Sequence, residues 1–210
     1  MIGDPVCVAP TGDVCGEGVV WHAAHNALYW CDINRFLVHR LSLADSSVRS
    51  WMFEEPVTAL CLTDRDDVMA VVLGSSVILW EPGRDLRHDA LFCLNGWPSV
   101  RLNDARPDPR GSLWAGSMRN NVRPDGSSGG VGGQDGILVR IDPNGRATCF
   151  RDLRRIHSAP RSRTPRNTTM PMNSRYSKPF TVTPKIPSAI ATITSSRRKA
   201  SIRSSAHQGR

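Results

Sequence analysis

The sequence predicts an all-β protein, and three observations predict that its short antiparallel strands repeat. First, residues 17–150 alternate between short apolar runs and clusters of Gly, Pro, Asp and Asn, which is typical of strands joined by tight turns. Second, the apolar runs come in pairs. Third, the first runs of these pairs align at Trp30, Val72 and Trp114, which are 42 residues apart each time. No segment shows the period of an amphipathic helix.

Two of the three strand pairs are followed by residues that favour turns. Glu81-Pro82-Gly83 follows the second pair and Asp142-Pro143-Asn144-Gly145 follows the third, and both supply the Pro and Gly that tight turns need. The predicted pairs are residues 28–31 with 36–41, 68–73 with 76–80, and 112–116 with 136–141.

A repeat of about 40–50 residues with about four short strands has the length of one β-propeller blade. A single blade cannot cover both of its faces, so neighbouring blades must pack on it. A β-sandwich with accidental spacing is the alternative fold. Three repeats favour the propeller.

The chain divides near residue 152 into segments of different composition. Residues 1–150 carry 13 Arg, no Lys and 18 acidic residues, a net charge of −5, whereas residues 151–210 carry 14 basic residues and one acidic residue, a net charge of +13. We therefore predict propeller blades in residues 1–152 and a disordered basic tail, rich in Ser, Thr, Pro and Arg, in residues 153–210. Two explanations of the tail stay open: a frameshifted reading of GC-rich coding DNA, or a genuine basic tail.

Composition also bears on the cell compartment and on partners. The six cysteines form no CxxC pair and no zinc-ligand spacing, so we expect reduced, mostly buried thiols. The first residues lack a signal-peptide pattern and no stretch reaches the length of a membrane helix, so we expect a cytoplasmic protein without a membrane partner. The positive charge belongs to the tail alone, which disfavours nucleic acid as a partner of the blades.

Two short segments contain candidate functional residues. Glu17 stands between two glycines ahead of an apolar run, where a carboxylate facing a central cavity could bind a hard metal ion. Arg101 and Asn103 lie two residues apart and so share one face of an extended segment, where they could hold a hydroxylated or carbonyl-bearing ligand. An ordinary turn glutamate and a locally paired surface turn are the alternative interpretations.

Taken together, five segments in this order resemble the gluconolactonase/regucalcin (senescence marker protein) family of metal-dependent sugar lactonases. The resemblance covers about residues 14–150, and the segments are Gly-Glu-Gly-Val-Val-Trp, Leu-Tyr-Trp-Cys-Asp-Ile, Arg-Leu-Asn-Asp, Trp-Ala-Gly-Ser-Met and Ile-Leu-Val-Arg-Ile-Asp-Pro-Asn-Gly. It implies a six-bladed propeller with one divalent cation, calcium or zinc, on its axis. It further implies that Glu17 binds the metal and that Arg101 and Asn103 bind a sugar lactone of the glucono- or arabinono-lactone type.

The resemblance ends where the family supplies its remaining metal ligands and its catalytic base from later blades. No Asp or Glu follows Asp152, so no catalytic residue is identifiable in this chain. We therefore expect about half of a propeller and hypothesise that the chain is truncated and inactive as a hydrolase. The alternative function is a non-enzymatic partial propeller whose basic tail binds nucleic acid or protein partners.

Overall fold

The computed structural model describes residues 3–133 and 136–150, and the backbone of the strand at 168–170. These residues form antiparallel β-strands and no helix, so the predicted all-β class is confirmed. No helix that could cross a membrane occurs among them.

The strands form three sheets, each a meander of neighbouring antiparallel strands. The first sheet contains β1 (Gly16–His22), β2 (Ala27–Asp32), β3 (Leu37–Ser42) and β4 (Val48–Met52). The second contains β5 (Val57–Leu62), β6 (Met69–Leu73), β7 (Ser76–Glu81), β8 (Leu86–Arg87) and β9 (Phe92–Cys93), and both β8 and β9 pair with β7. The third contains β10 (Val100–Pro107), β11 (Leu113–Arg119), β12 (Leu138–Ile141), β13 (Ala147–Phe150) and β14 (Thr168–Met170).

The three predicted strand pairs are the second and third strands of the three sheets. The second strands begin at Ala27, Met69 and Leu113, which are 42 and 44 residues apart, so the blade-length repeat is confirmed. The predicted alignment of Trp30 with Val72 is wrong, because the two side chains lie on opposite faces of their sheets. Trp30 points away from the following sheet, which is the second, whereas Val72 points toward the following sheet, which is the third. A shift of one residue moves a side chain to the other face of a strand. Because β6 is buried on both faces, its sequence has no polar–apolar alternation that would reveal such a shift.

The hydrophobic core consists of two layers, one on each side of the second sheet. The layer between the first and second sheets contains Tyr29, Trp51 and Trp80. The rings of Trp51 and Trp80 make an edge-to-face contact, with their centroids 5.0 Å apart. Leu102, Leu113 and Val139 of the third sheet pack against the other side of the second. The central sheet is therefore apolar on both faces, as stacked propeller blades require.

The prediction of a disordered tail falls mostly outside the described residues. Within the predicted tail, Thr168–Met170 forms β14, which pairs with β13.

Candidate functional site

Glu17 lies near the start of β1, where the strand is irregular. Pairing of β1 with β2 shifts register between Glu17 and Val20, and Gly18 has a φ of +64°. A Cβ at Gly18 would lie 3.3 Å from the Sγ of Cys31, so both the backbone conformation and the close approach favour glycine. The Glu17 side chain is exposed, and among the described residues its carboxylate contacts the Cys15 thiol alone, at 3.9 Å.

A buried carboxylate holds the segment that leads to Glu17. Asp32 accepts hydrogen bonds from the backbone N–H of Val14 at 2.9 Å and of Cys15 at 3.1 Å, and it pairs with Arg35 Nε at 2.7 Å. Burial alone would raise the pKa of Asp32, but the hydrogen bonds from Val14, Arg35 and Cys15 outweigh it and lower the pKa. The ionised Asp32 therefore fixes the chain immediately before the candidate metal ligand.

Arg101, the central residue of the candidate substrate site, lies at the start of β10, and only 4% of the surface of this residue is exposed. Its Nε and Nη2 donate to Oδ1 of Asn121 at 3.2 and 2.9 Å, and its Nη1 donates to Oδ1 of Asn103 at 2.8 Å. Burial lowers the pKa of Arg101, and the negative charges that Cys15 and Glu17 carry when ionised act in the opposite direction. The structure thus brings Glu17 of the first sheet within electrostatic reach of Arg101 in the third.

The amide groups around Arg101 are oriented by this arginine. The side chains of Asn103 and Asn121 are half-buried, and both turn their carbonyl oxygens to the guanidinium. Neither amide NH2 group has an acceptor among the described residues, so each can donate to an oxygen of a ligand. Sequence reasoning missed Asn121; the one signal for it is its position just after β11, at the same end of the hairpin as Arg101.

The described residues do not complete a site for a divalent cation. They contain no group of three or more His, Cys, Asp or Glu side chains that could hold a metal ion. Glu17 offers a carboxylate, but the carbonyl oxygens of Asn103 and Asn121 are engaged by Arg101. Calcium needs about six to eight oxygen ligands and zinc about four ligands, so neither cation fits these residues alone.

The Gly-rich loop after β11 reaches back to the first sheet. Asn34 Nδ2 donates to the carbonyl oxygen of Gly126 at 2.7 Å and to Ser128 Oγ at 3.2 Å. Gly126 has a φ of +80°, and a Cβ there would clash with the Asn34 carbonyl oxygen. The loop therefore joins the first and third sheets, which its composition did not reveal.

Known proteins are similar to this chain in sequence and in fold. Residues 15–169 match the family model described as the SMP-30/gluconolactonase/LRE-like region. The chain is 31% identical over 141 residues to the 6-deoxy-6-sulfogluconolactonase of Pseudomonas putida, covering 67% of this chain and 45% of that protein. It is 30% identical over 131 residues to the L-arabinolactonase of Azospirillum brasilense, covering 61% and 42%.

A solved structure of similar fold is the calcium-binding protein regucalcin from Agrobacterium tumefaciens, with a TM-score of 0.58 and 21% identity over 68% of this chain and 45% of that one. The chain thus spans less than half the length of these relatives. The three sheets, the family-model match and the lactonase relatives all indicate the same family. The chain therefore belongs to the SMP-30/gluconolactonase/LRE-like family, with the partial propeller fold that the sequence predicted.

Proposed function

We propose that this chain carries the substrate-recognition part of a sugar lactonase, a hydrolase that opens aldonolactones of the glucono- or arabinono-lactone type to sugar acids. The observation that carries the proposal is the buried guanidinium of Arg101, held by two amide oxygens whose NH2 groups no described residue engages. Family membership supports the same class of substrate.

The Arg101 cluster suits the chemistry of a lactone. The ring carbonyl and the hydroxyl groups of an aldonolactone are hydrogen-bond acceptors, and the amide NH2 groups of Asn103 and Asn121 are donors. Negative charge develops on the carbonyl oxygen as water attacks, and a fixed cation in a buried position stabilises that charge. We therefore assign Arg101 and Asn103 to substrate binding.

Glu17 is the residue we propose to bind the divalent cation of the family, calcium or zinc. Because the described residues do not complete a cation site, the remaining ligands would have to come from outside them. No Asp or Glu follows Asp152, so residues 153–210 contain no carboxylate base. We infer that the 210-residue chain binds sugar lactones in the cytoplasm but hydrolyses them poorly.

Binding and hydrolysis can be measured separately. Titration calorimetry with L-arabinono-1,4-lactone should give binding that Arg101→Lys weakens about tenfold, because lysine cannot replace the guanidinium fork that engages both asparagines. Arg110→Lys, at an exposed turn, is the matched control. Equal binding by both variants, with unchanged thermal unfolding, would exclude Arg101 from the substrate site. Rapid lactone hydrolysis by the unmodified chain would show that the missing carboxylate is not required.

The positive charge of residues 151–210 favours a second candidate, a partial propeller that binds nucleic acid. Retention of DNA should then fall steeply with salt concentration. Sequencing the coding DNA across codons 150–160 tests whether this segment is a genuine tail. A shifted frame that continues the strand repeats would support the frameshift and remove this candidate.

A further inference from the structure

Two arginines lie opposite each other on the face of the first sheet that is turned toward the second sheet. Tyr29 of β2 pairs with Arg40 of β3, and Arg40 pairs with Arg49 of β4, so the three residues form one cross-strand row. Directly paired residues of antiparallel strands point to the same face. Tyr29 belongs to the core layer between the two sheets, so both arginines stand at the border of that layer.

Within the described part of the chain, this arrangement places two positive charges side by side without a paired carboxylate. Like charges directly opposite each other destabilise a sheet. Neither Arg40 nor Arg49 forms an ion pair with any carboxylate in residues 3–133 or 136–150. Arg40 contacts the backbone oxygen of His25 at 3.4 Å, and the Arg49 guanidinium lies 4.6 Å from the centre of the Trp51 ring. Both groups therefore keep donors available.

A groove of about 260 Å³ opens between these arginines and the turn between β7 and β8 of the second sheet. Trp51 and Tyr29 are almost fully buried, so they give the groove a rigid aromatic base. The His25 Nδ1 lies 2.8 Å from the Tyr29 hydroxyl at its side. The lining residues are His25, Tyr29, Arg40, Arg49, Trp51, Pro82 and Gly83, none of which belongs to the Arg101 cluster.

We propose that this groove binds a compact oxyanion, a phosphate or carboxylate group, between the guanidinium groups of Arg40 and Arg49. Guanidinium donors are arranged to meet two oxygens of such a group, and these charge-assisted hydrogen bonds are strong. An anion between the two arginines replaces their mutual repulsion with two attractive contacts. The groove is thus a second binding site, away from the lactone site.

The test is a titration of the full chain with inorganic phosphate and, separately, with succinate, at constant ionic strength. Binding is followed by calorimetry and by the NMR signal of the indole N–H of Trp51, whose ring lies beneath the Arg49 guanidinium. We expect Arg49→Gln to weaken binding at least tenfold, because one of the two charged partners is lost. Arg110→Gln removes the same charge at an exposed turn elsewhere and should change binding less than twofold.

If Arg49→Gln loses phosphate binding but not succinate binding, a phosphate ligand is supported. If it loses succinate binding but not phosphate binding, a carboxylate ligand is supported. Arg40→Gln should reproduce the loss from the other side of the groove. Thermal unfolding of each variant separates loss of the ligand from loss of the fold. The proposal is overturned if folded Arg49→Gln and Arg110→Gln bind both anions equally, or if the unmodified chain binds neither.

Discussion

Replacing Asp32 with asparagine should destabilise the protein strongly, because this side chain is 0% exposed and accepts several hydrogen bonds. Its Oδ2 accepts from the backbone N–H of Val14 at 2.9 Å and from Arg35 Nε at 2.7 Å, and its Oδ1 accepts from the backbone N–H of Cys15 at 3.1 Å. Asparagine is nearly isosteric, so the substitution changes the charge and the acceptors without leaving a cavity.

The magnitude follows from the bonds that asparagine cannot make. An amide has one acceptor oxygen, so its NH2 group would face either the donors of Val14 and Arg35 or the backbone N–H of Cys15. Each hydrogen bond to a charged group contributes about 1.5–3 kcal/mol, and a buried donor left without an acceptor costs about 1–3 kcal/mol. We expect Asp32→Asn to lower the free energy of unfolding by about 3–5 kcal/mol at pH 7.

Urea unfolding followed by circular dichroism at pH 7 measures this difference. Asp64→Asn is the matched control, because Asp64 is exposed, and it should change stability by less than about 0.5 kcal/mol. The pKa of Asp32 is lowered in the folded protein, so its contribution is complete above the unfolded value of about 3.9 and disappears as the pH falls through the folded value. The gap between Asp32→Asn and the unmodified protein should therefore close in acid.

A loss below about 1 kcal/mol at pH 7 would refute the assignment of Asp32 as the anchor of residues 14–15. A gap of full size that persists in acid would show that charge is not the cause. Because the anchored residues 14–15 lie just before Glu17, a large loss would also connect the stability of the first sheet to the candidate metal ligand.

Three further predictions concern the loop, the core and the thiols. Gly126→Ala should lower stability by about 1–3 kcal/mol in urea unfolding, because a Cβ at this positive φ clashes with the Asn34 carbonyl; Gly130→Ala, where a Cβ meets nothing within 4 Å, should be nearly neutral. Trp80→Phe should cost about 1–3 kcal/mol in the same assay, because it leaves a void and removes the indole hydrogen bond to Asp85 at 2.9 Å; preserved stability would contradict the packing of this core layer. Burial raises the pKa of the Cys61 thiol to about 12, so this thiol should react with a disulfide reagent only after unfolding, whereas fast reaction of native protein should be confined to the exposed thiols of Cys7 and Cys93.

Much of the fold was predictable because local chemistry sets it. Alternating apolar runs and turn residues predicted the strand pairs, and the repeat length predicted blades of a propeller. The register of Trp30 against Val72 was not predictable, because a fully apolar strand carries no alternation to show which face is which. The same burial on both faces identifies the second sheet as the central one.

The candidate site divides in the same way. Glu17, Arg101 and Asn103 were identified from the sequence, and their roles stay predictions. The contribution of Asn121 was missed, because nothing in a Gly- and Asn-rich loop indicates which amide faces an arginine 20 residues earlier. The pairing of Arg40 with Arg49 could not be predicted for a similar reason, since pairing across strands depends on hairpin length.

The amino-acid sequence was enough to establish the fold class, the repeat length and the residue types offered to a ligand. These properties follow from turn chemistry, hydrophobic alternation and composition, which act over a few residues. Which side chains meet became clear from the folded chain: Arg101 lies within electrostatic reach of Glu17, and Arg40 and Arg49 face one groove. Such contacts depend on register and blade packing, where a shift of one residue turns a side chain to the opposite face.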